Sequence, residues 1–278
     1  MNSRMAALTL TVGLAATALR SQEPPVHPDL RLVADEARAR LCALYSVSPE
    51  DCAAPISIRL AENPGAIPPE WAALPSYAAG AADPRSGRII VVLSRCGSYP
   101  FGDASQTLRH ELSHVLLARG LGFVAPRWLD EGLAMRTAAE WGFSDEWYSA
   151  LALPAVAHGS WHLDRVDADF AGGEGQVRRS YALAKGFVRD LFKSDADLTE
   201  FIREARRDGS VDRAFRVRFG ISPDWAFSHW AKNLPWWGEW VVALSNPNLL
   251  WMGVAVLFLL AAFAAWRRRK RKYAALDD

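Results

Sequence analysis

The chain has 278 residues, half of them hydrophobic and 23% charged, which is enough for one sizeable core with pieces to spare. The formal net charge of +1 hides an uneven distribution: with Arg4, the basic run 267–272 and the last two aspartates set aside, the remainder is mildly acidic. That pattern excludes the basic footprint of a nucleic-acid-binding protein, and no nucleic-acid partner is expected.

Met-Asn-Ser-Arg-Met opens the chain and an uncharged run from Ala6 to Leu19 follows, with Ala16-Thr17-Ala18 placed as a small-x-small cleavage site. This predicts a secretory signal over residues 1–18, an uncleaved anchor helix being the alternative. Residues 19–54 then form an N-terminal helical segment, in which 29–45 carry Leu30, Leu32, Val33, Ala37 and Leu41 on one broad apolar stripe. Cys42, Cys52 and Cys96 belong in an oxidising compartment; a Cys42–Cys52 bridge is plausible, but Cys96 pairing with either remains open. Ile56 to Leu60 reads as a short strand, followed by the loop Pro64–Pro69. The turn Asp83-Pro84-Arg85-Ser86-Gly87 separates Tyr77–Ala82 from Arg88–Leu93 and predicts a hairpin.

The stretch TLRHELSHVLLARG, residues 107–120, is an amphipathic helix that Asp103 or Ser105 can cap and Gly120 can close in the left-handed conformation. Leu108, Leu112, Val115 and Leu116 share one face, and His110 and His114 point nearly opposite. Imidazoles four residues apart stand one turn above the other and can reach a single ion. Glu111 lies between the two faces, where its carboxylate can accept a proton from an attacking water without itself binding the metal. A third ligand is available in PRWLDEGLA, residues 126–134: Pro126 opens a second helix and Glu131 projects from it one turn in. Gly132 permits a close helix approach, and Asp130 is a competing carboxylate that points about 100° away.

His-Glu-x-x-His, a 16-residue gap from His114 to Glu131, and WLDEGLA around that glutamate together resemble the gluzincin metallopeptidases, in particular the peptidase MA-like group. The resemblance implies an α+β zincin-like domain over residues 55–235: a small mixed sheet with an edge strand, an active-site helix, a glutamate helix and a C-terminal helical part. It implies one Zn²⁺ on His110, His114 and Glu131, with Glu111 as general base. A strand like Arg88–Leu93 is then the sheet edge above the cleft that pairs with an extended peptide. RRSYALAKGFVRDL, residues 178–191, is similar to the family helix whose tyrosine donates to the oxyanion, which makes Tyr181 a catalytic residue, or else a core tyrosine packed on Leu183 or Phe187. His158 and His162 are rival donors. Two departures stand out. Met135 occupies the place of an aspartate that in some gluzincins holds a ligand histidine, and no Gly-x-Met-x-Asn element of aminopeptidases occurs, which favours an endopeptidase.

The segment 163–175 is expected to be a mobile loop lining the cleft, and helices are expected near 196–206, 211–218 and 223–232, broken at Gly209 and Gly220. After a juxtamembrane stretch, 236–248, with Trp236, Trp237 and Trp240, residues 249–266 read as a single transmembrane helix and 267–278 as a basic cytosolic tail. The expectation is therefore a membrane-anchored zinc peptidase facing away from the cytoplasm and acting on a peptide or protein substrate. The alternatives are a catalytically inactive zinc-binding envelope protein that serves as a binding or scaffold module, and a structural envelope protein whose histidines are incidental.

Overall fold

Apolar periodicity dictates most of what the computed structural model contains; it describes residues 28–97, 103–138, 162–234, 254–263 and 265–267. Helix α1 (Pro28–Leu44) buries Ala34, Ala37 and Leu41, whereas Leu32, expected on that face, is 61% exposed. A short α2 (Pro49–Ala53) is capped by Ser48, and the Cys42–Cys52 disulfide ties it to α1. Cys96 is free, and burial pushes its thiol pKa up.

Three strands follow: β1 (Ser57–Ala61), β2 (Gly80–Asp83) and β3 (Arg88–Val92). Their order is β1-β3-β2, with β1 parallel and β2 antiparallel to β3. The hairpin forms where Asp83-Pro84-Arg85-Ser86-Gly87 predicts it, Gly87 taking a positive φ of 67° and Asp83 pairing with Arg88. The apolar run of β3, however, is the centre of the sheet. Ile89, Ile90, Val91 and Val92 are all buried, because a continuous apolar strand can be covered on both faces. β2 is one of the two sheet edges, β1 being the other, and its small residues suit a strand that lies tight against a helix.

That helix is α3 (Ala104–Leu121). Asp103 caps it by accepting from the Gln106 amide at 2.9 Å, an interaction worth about 1 kcal/mol. Its left-handed closing residue is Gly122, with φ 80°, and not Gly120. Gly120 serves close packing instead, since a Cβ there would run into the Tyr45 carbonyl. The Tyr45 hydroxyl, wholly buried, meets Ser113 Oγ at 2.7 Å and pins the side of α3 away from the sheet. Leu108, Leu112, Val115 and Leu116 form the expected core face, each burial worth roughly 1.5–3 kcal/mol.

Next come α4 (Arg127–Thr137), α5 (Leu163–Asp169), α6 (Glu174–Leu191), α7 (Asp195–Asp208), α8 (Val211–Phe219) and α9 (Pro223–Lys232). The last three match the expected positions, with Gly209 and Gly220 as left-handed caps. The start of the segment expected to be a mobile loop is instead helix α5, and Asp167 on it accepts a hydrogen bond from the Trp128 amide at 2.7 Å. Pro126 supplies no side-chain cap to α4, so this carboxylate satisfies one of the orphan N–H groups at its start. Helix α4 packs most closely on α6, where Gly132 faces the Ala184 carbonyl and Val188.

Two expectations are corrected. The α+β class gives way to a mostly helical chain: the small mixed sheet is there, but its three strands are only four or five residues long and helices build the core around it. The transmembrane helix expected at 249–266 is corrected too: among the described residues no helix is long and apolar enough to cross a membrane. The signal segment 1–18, the tryptophans at 236, 237 and 240, and the tail beyond 267 lie outside the described residues.

Candidate metal centre

The buried side of α3 that faces β2 and α4 carries polar groups where a core would carry leucines: His110, Glu111 and His114 are 2%, 4% and 9% exposed. From α4 the equally buried Glu131 meets both imidazoles. Its Oε2 is 3.3 Å from His110 Nε2 and 3.7 Å from His114 Nε2. The imidazole centroids stand 4.9 Å apart with their planes 74° apart, one turn along the helix as the i, i+4 spacing requires. His110, His114 and Glu131 offer ligand atoms that all fall within 4.8 Å of one another, a buried cluster able to hold a metal ion.

A size test supports that capacity. Tetrahedral coordination with bonds of about 2.0–2.1 Å spaces ligand atoms about 3.3–3.4 Å apart. The observed separations of 3.3 and 3.7 Å are close to that spacing. Glu131 Oε2 is also buried without a donor in hydrogen-bonding geometry, an uncompensated acceptor of the kind a cation satisfies.

Asp130, set aside in the sequence as pointing about 100° from Glu131, has a separate role. Its Oδ1 lies 2.8 Å from His114 Nδ1, the nitrogen facing away from the cluster, although the approach is bent from the ideal N–H direction. Consecutive residues of α4 thus address the two nitrogens of one ring. The carboxylate favours the tautomer with hydrogen on Nδ1 and leaves the Nε2 lone pair for a metal. Burial alone would push the His114 pKa down, but the charges of Asp130 and Glu131 outweigh it, and without a metal it rises to about 9. Burial opposes the charge on Glu131 too, yet His114, His110 and Arg127 bring its pKa down to about 2.

The sign of the pH dependence follows. A raised imidazole pKa stabilises the metal-free fold fully below about 6.5 and loses that contribution as pH rises through about 9; the depressed Glu131 contributes above about 4.5 and loses it as pH falls through about 2. A metal needs the neutral ring, so across pH 6.5–9 it must displace the His114 proton. Calorimetric zinc titration near pH 7.5 in buffers of different ionisation enthalpy should show close to one proton released. Asp130→Asn should reduce that release and weaken zinc binding by about 10- to 100-fold. Unchanged values in Asp130→Asn would remove Asp130 from the site.

The cluster opens into a cleft of about 580 Å³. One wall is β2, through Gly80, Ala81 and Ala82; the floor holds His110, Glu111, His114 and Glu131; the far side is formed by Phe170, Val177 and Tyr181. Glu111 is wedged under the sheet, so that a Cβ on Gly80 would lie 2.7 Å from its Oε1. Tyr181 on α6 borders the same cleft, its ring edge-on to Phe170 at 5.2 Å and to His110 at 6.3 Å. His162 is not among the cleft residues; its Nδ1 is 2.9 Å from Asp224 Oδ2 on α9. His158 lies outside the described residues.

The structure thus brings together all five residues singled out in the sequence, His110, Glu111, His114, Glu131 and Tyr181, and adds Asp130, Gly80 and Arg127. The sequence offered Asp130 only as a competing metal ligand pointing away from Glu131; that same divergence carries it to the other ring nitrogen of His114. Nothing in the local sequence marks Gly80 as the roof over Glu111. Comparison with known proteins finds no matching family model, curated protein or solved structure.

Proposed function

We propose that the protein is a zinc-dependent peptidase of the gluzincin type, with an endopeptidase mode of action. The observation that carries this reading is a buried His-His-Glu cluster sharing one cleft with a fourth buried acid, Glu111, beside the sheet edge β2. Zinc suits two neutral imidazoles and one carboxylate, and when bound it would supply Lewis-acid polarisation of the scissile carbonyl and make water a better nucleophile at neutral pH.

The chain's own groups account for the rest of the chemistry. Among the described residues β2 pairs only with β3, so its outer edge is available to hold an extended peptide by main-chain hydrogen bonds over Glu111. Glu111 accepts the proton of the attacking water and returns it to the leaving amine. Tyr181 donates its hydroxyl to the oxygen on which negative charge develops, a role worth about 3–4 kcal/mol in comparable oxyanion sites. The Cys42–Cys52 disulfide supports an oxidising compartment outside the cytoplasm.

A binding or scaffold role is the second reading, but a module that only binds metal has no use for Glu111. The assignment of the metal is tested by the zinc content of the purified full-length chain. About one zinc per chain is expected, and His114→Ala should abolish tight binding. A stoichiometric metal content unchanged by that substitution would place the metal elsewhere.

A further inference from the structure

Arg127 is the one lysine or arginine among the described residues that line the cleft, and neither the metal cluster nor the proton transfers need it. It opens helix α4 and its side chain is 54% exposed, while that of Glu131, one turn on, is 8% exposed. Its guanidinium sits 5.3 Å from the centre of the Phe170 ring, on the side of the cleft opposite β2. Stacking of this kind fixes the plane of the group without using its N–H donors.

One competing explanation is that Arg127 exists only to neutralise Glu131. The contact argues otherwise. Among the described residues the Arg127 side chain makes one hydrogen bond, from Nη2 to Glu131 Oε1, at 3.3 Å. A locked guanidinium–carboxylate pair closes to about 2.7–2.9 Å and is commonly bidentate. Arg127 is therefore loosely tethered and half in solvent, in a cleft that sets apolar Leu74, Val124 and Val177 beside the acids Glu111, Asp130 and Glu131. Desolvating a substrate carboxylate in such a cleft is costly unless it meets this cation; an uncharged side chain gains nothing from it.

We infer that Arg127 is a specificity-determining residue that selects a substrate carrying a carboxylate next to the scissile bond, from an acidic side chain or a chain terminus. This rests on the peptidase reading for its substrate class, but its test reads binding. The probes are three hydroxamate-tipped peptides, alike except for the residue after the metal-binding group: glutamate amide, glutamine amide, and glutamine with a free terminal carboxylate. Each is titrated calorimetrically into the zinc-loaded full-length protein.

At least one carboxylate probe should bind about tenfold more tightly than glutamine amide, the size of one charge-assisted hydrogen bond in a partly exposed site. Preference for the glutamate probe identifies a side-chain carboxylate, as an endopeptidase requires; preference for the free acid identifies a chain terminus and replaces the endopeptidase mode with carboxypeptidase trimming. Arg127→Gln should erase the difference while holding its zinc, and Arg127→Lys, which keeps the charge, should retain part of it. Equal binding of all three probes by wild type, or a preference that survives in Arg127→Gln, overturns the inference and leaves the peptidase reading standing. A zinc-loaded protein that shows the preference yet cleaves no peptide overturns the peptidase reading instead.

Discussion

Glu111→Gln should keep its zinc and lose at least about 10²-fold in kcat. The amide has nearly the shape of the acid, so it fits the space under Gly80 and beside Thr107 that holds Glu111 in place. It takes no part in the His110, His114 and Glu131 cluster, so metal content should not change. What the substitution removes is the ability to accept a proton. Retention of near wild-type peptide cleavage would refute the hydrolytic mechanism even with zinc fully bound. Tyr181→Phe should cost less, with the loss falling on kcat more than on KM, because an oxyanion donor acts mainly in the transition state. A loss confined to KM would assign Tyr181 to substrate packing.

Gly132→Ala should produce the largest loss of stability for the smallest chemical change. Its new methyl would lie 2.6 Å from Val188 Cγ2 and 2.7 Å from the Ala184 carbonyl oxygen. Val188 can adjust its rotamer, but the carbonyl belongs to the backbone of α6, so α4 itself must move. Overpacking of this kind costs about 1–3 kcal/mol, more than the gain of under about 1 kcal/mol from replacing glycine in a helix. Glu131 precedes Gly132 and moves with α4, so zinc affinity should fall in the same variant. Denaturant unfolding and zinc titration check the two effects together. A variant as stable as wild type would mean that α4 and α6 are less tightly coupled than their packing indicates.

How far the sequence could be read depended on whether the information was local. His110, His114 and the apolar face of α3 follow from 3.6-residue periodicity, and Glu131 from its place one turn into the next helix. Helices α7, α8 and α9 were legible because Gly209 and Gly220 punctuate them, and the structure adds Ser194, Ser210 and Ser222 as their caps. The sheet edge was not: the most apolar strand drew attention, yet β3 is apolar because it is central, and the edge fell to Gly80–Asp83, with little pattern of its own. Asp167 illustrates the same limit. Its aspartate-rich surroundings resemble a loop, and its role depends on Trp128, distant in sequence. At the far end a run of apolar residues suggested a membrane span, but among the described residues no helix is long and apolar enough to cross a membrane.

The central claim, zinc-dependent peptide hydrolysis at the α3–α4 cluster, is tested most directly by exposing an unbiased peptide library to the purified full-length chain after chelation and again after restoring one equivalent of zinc. Cleavage should be absent from the chelated sample, return with zinc, and enrich sequences with a carboxylate beside the cut bond. A zinc-restored protein that leaves every peptide intact would contradict the account and turn the cluster into a binding site without chemistry.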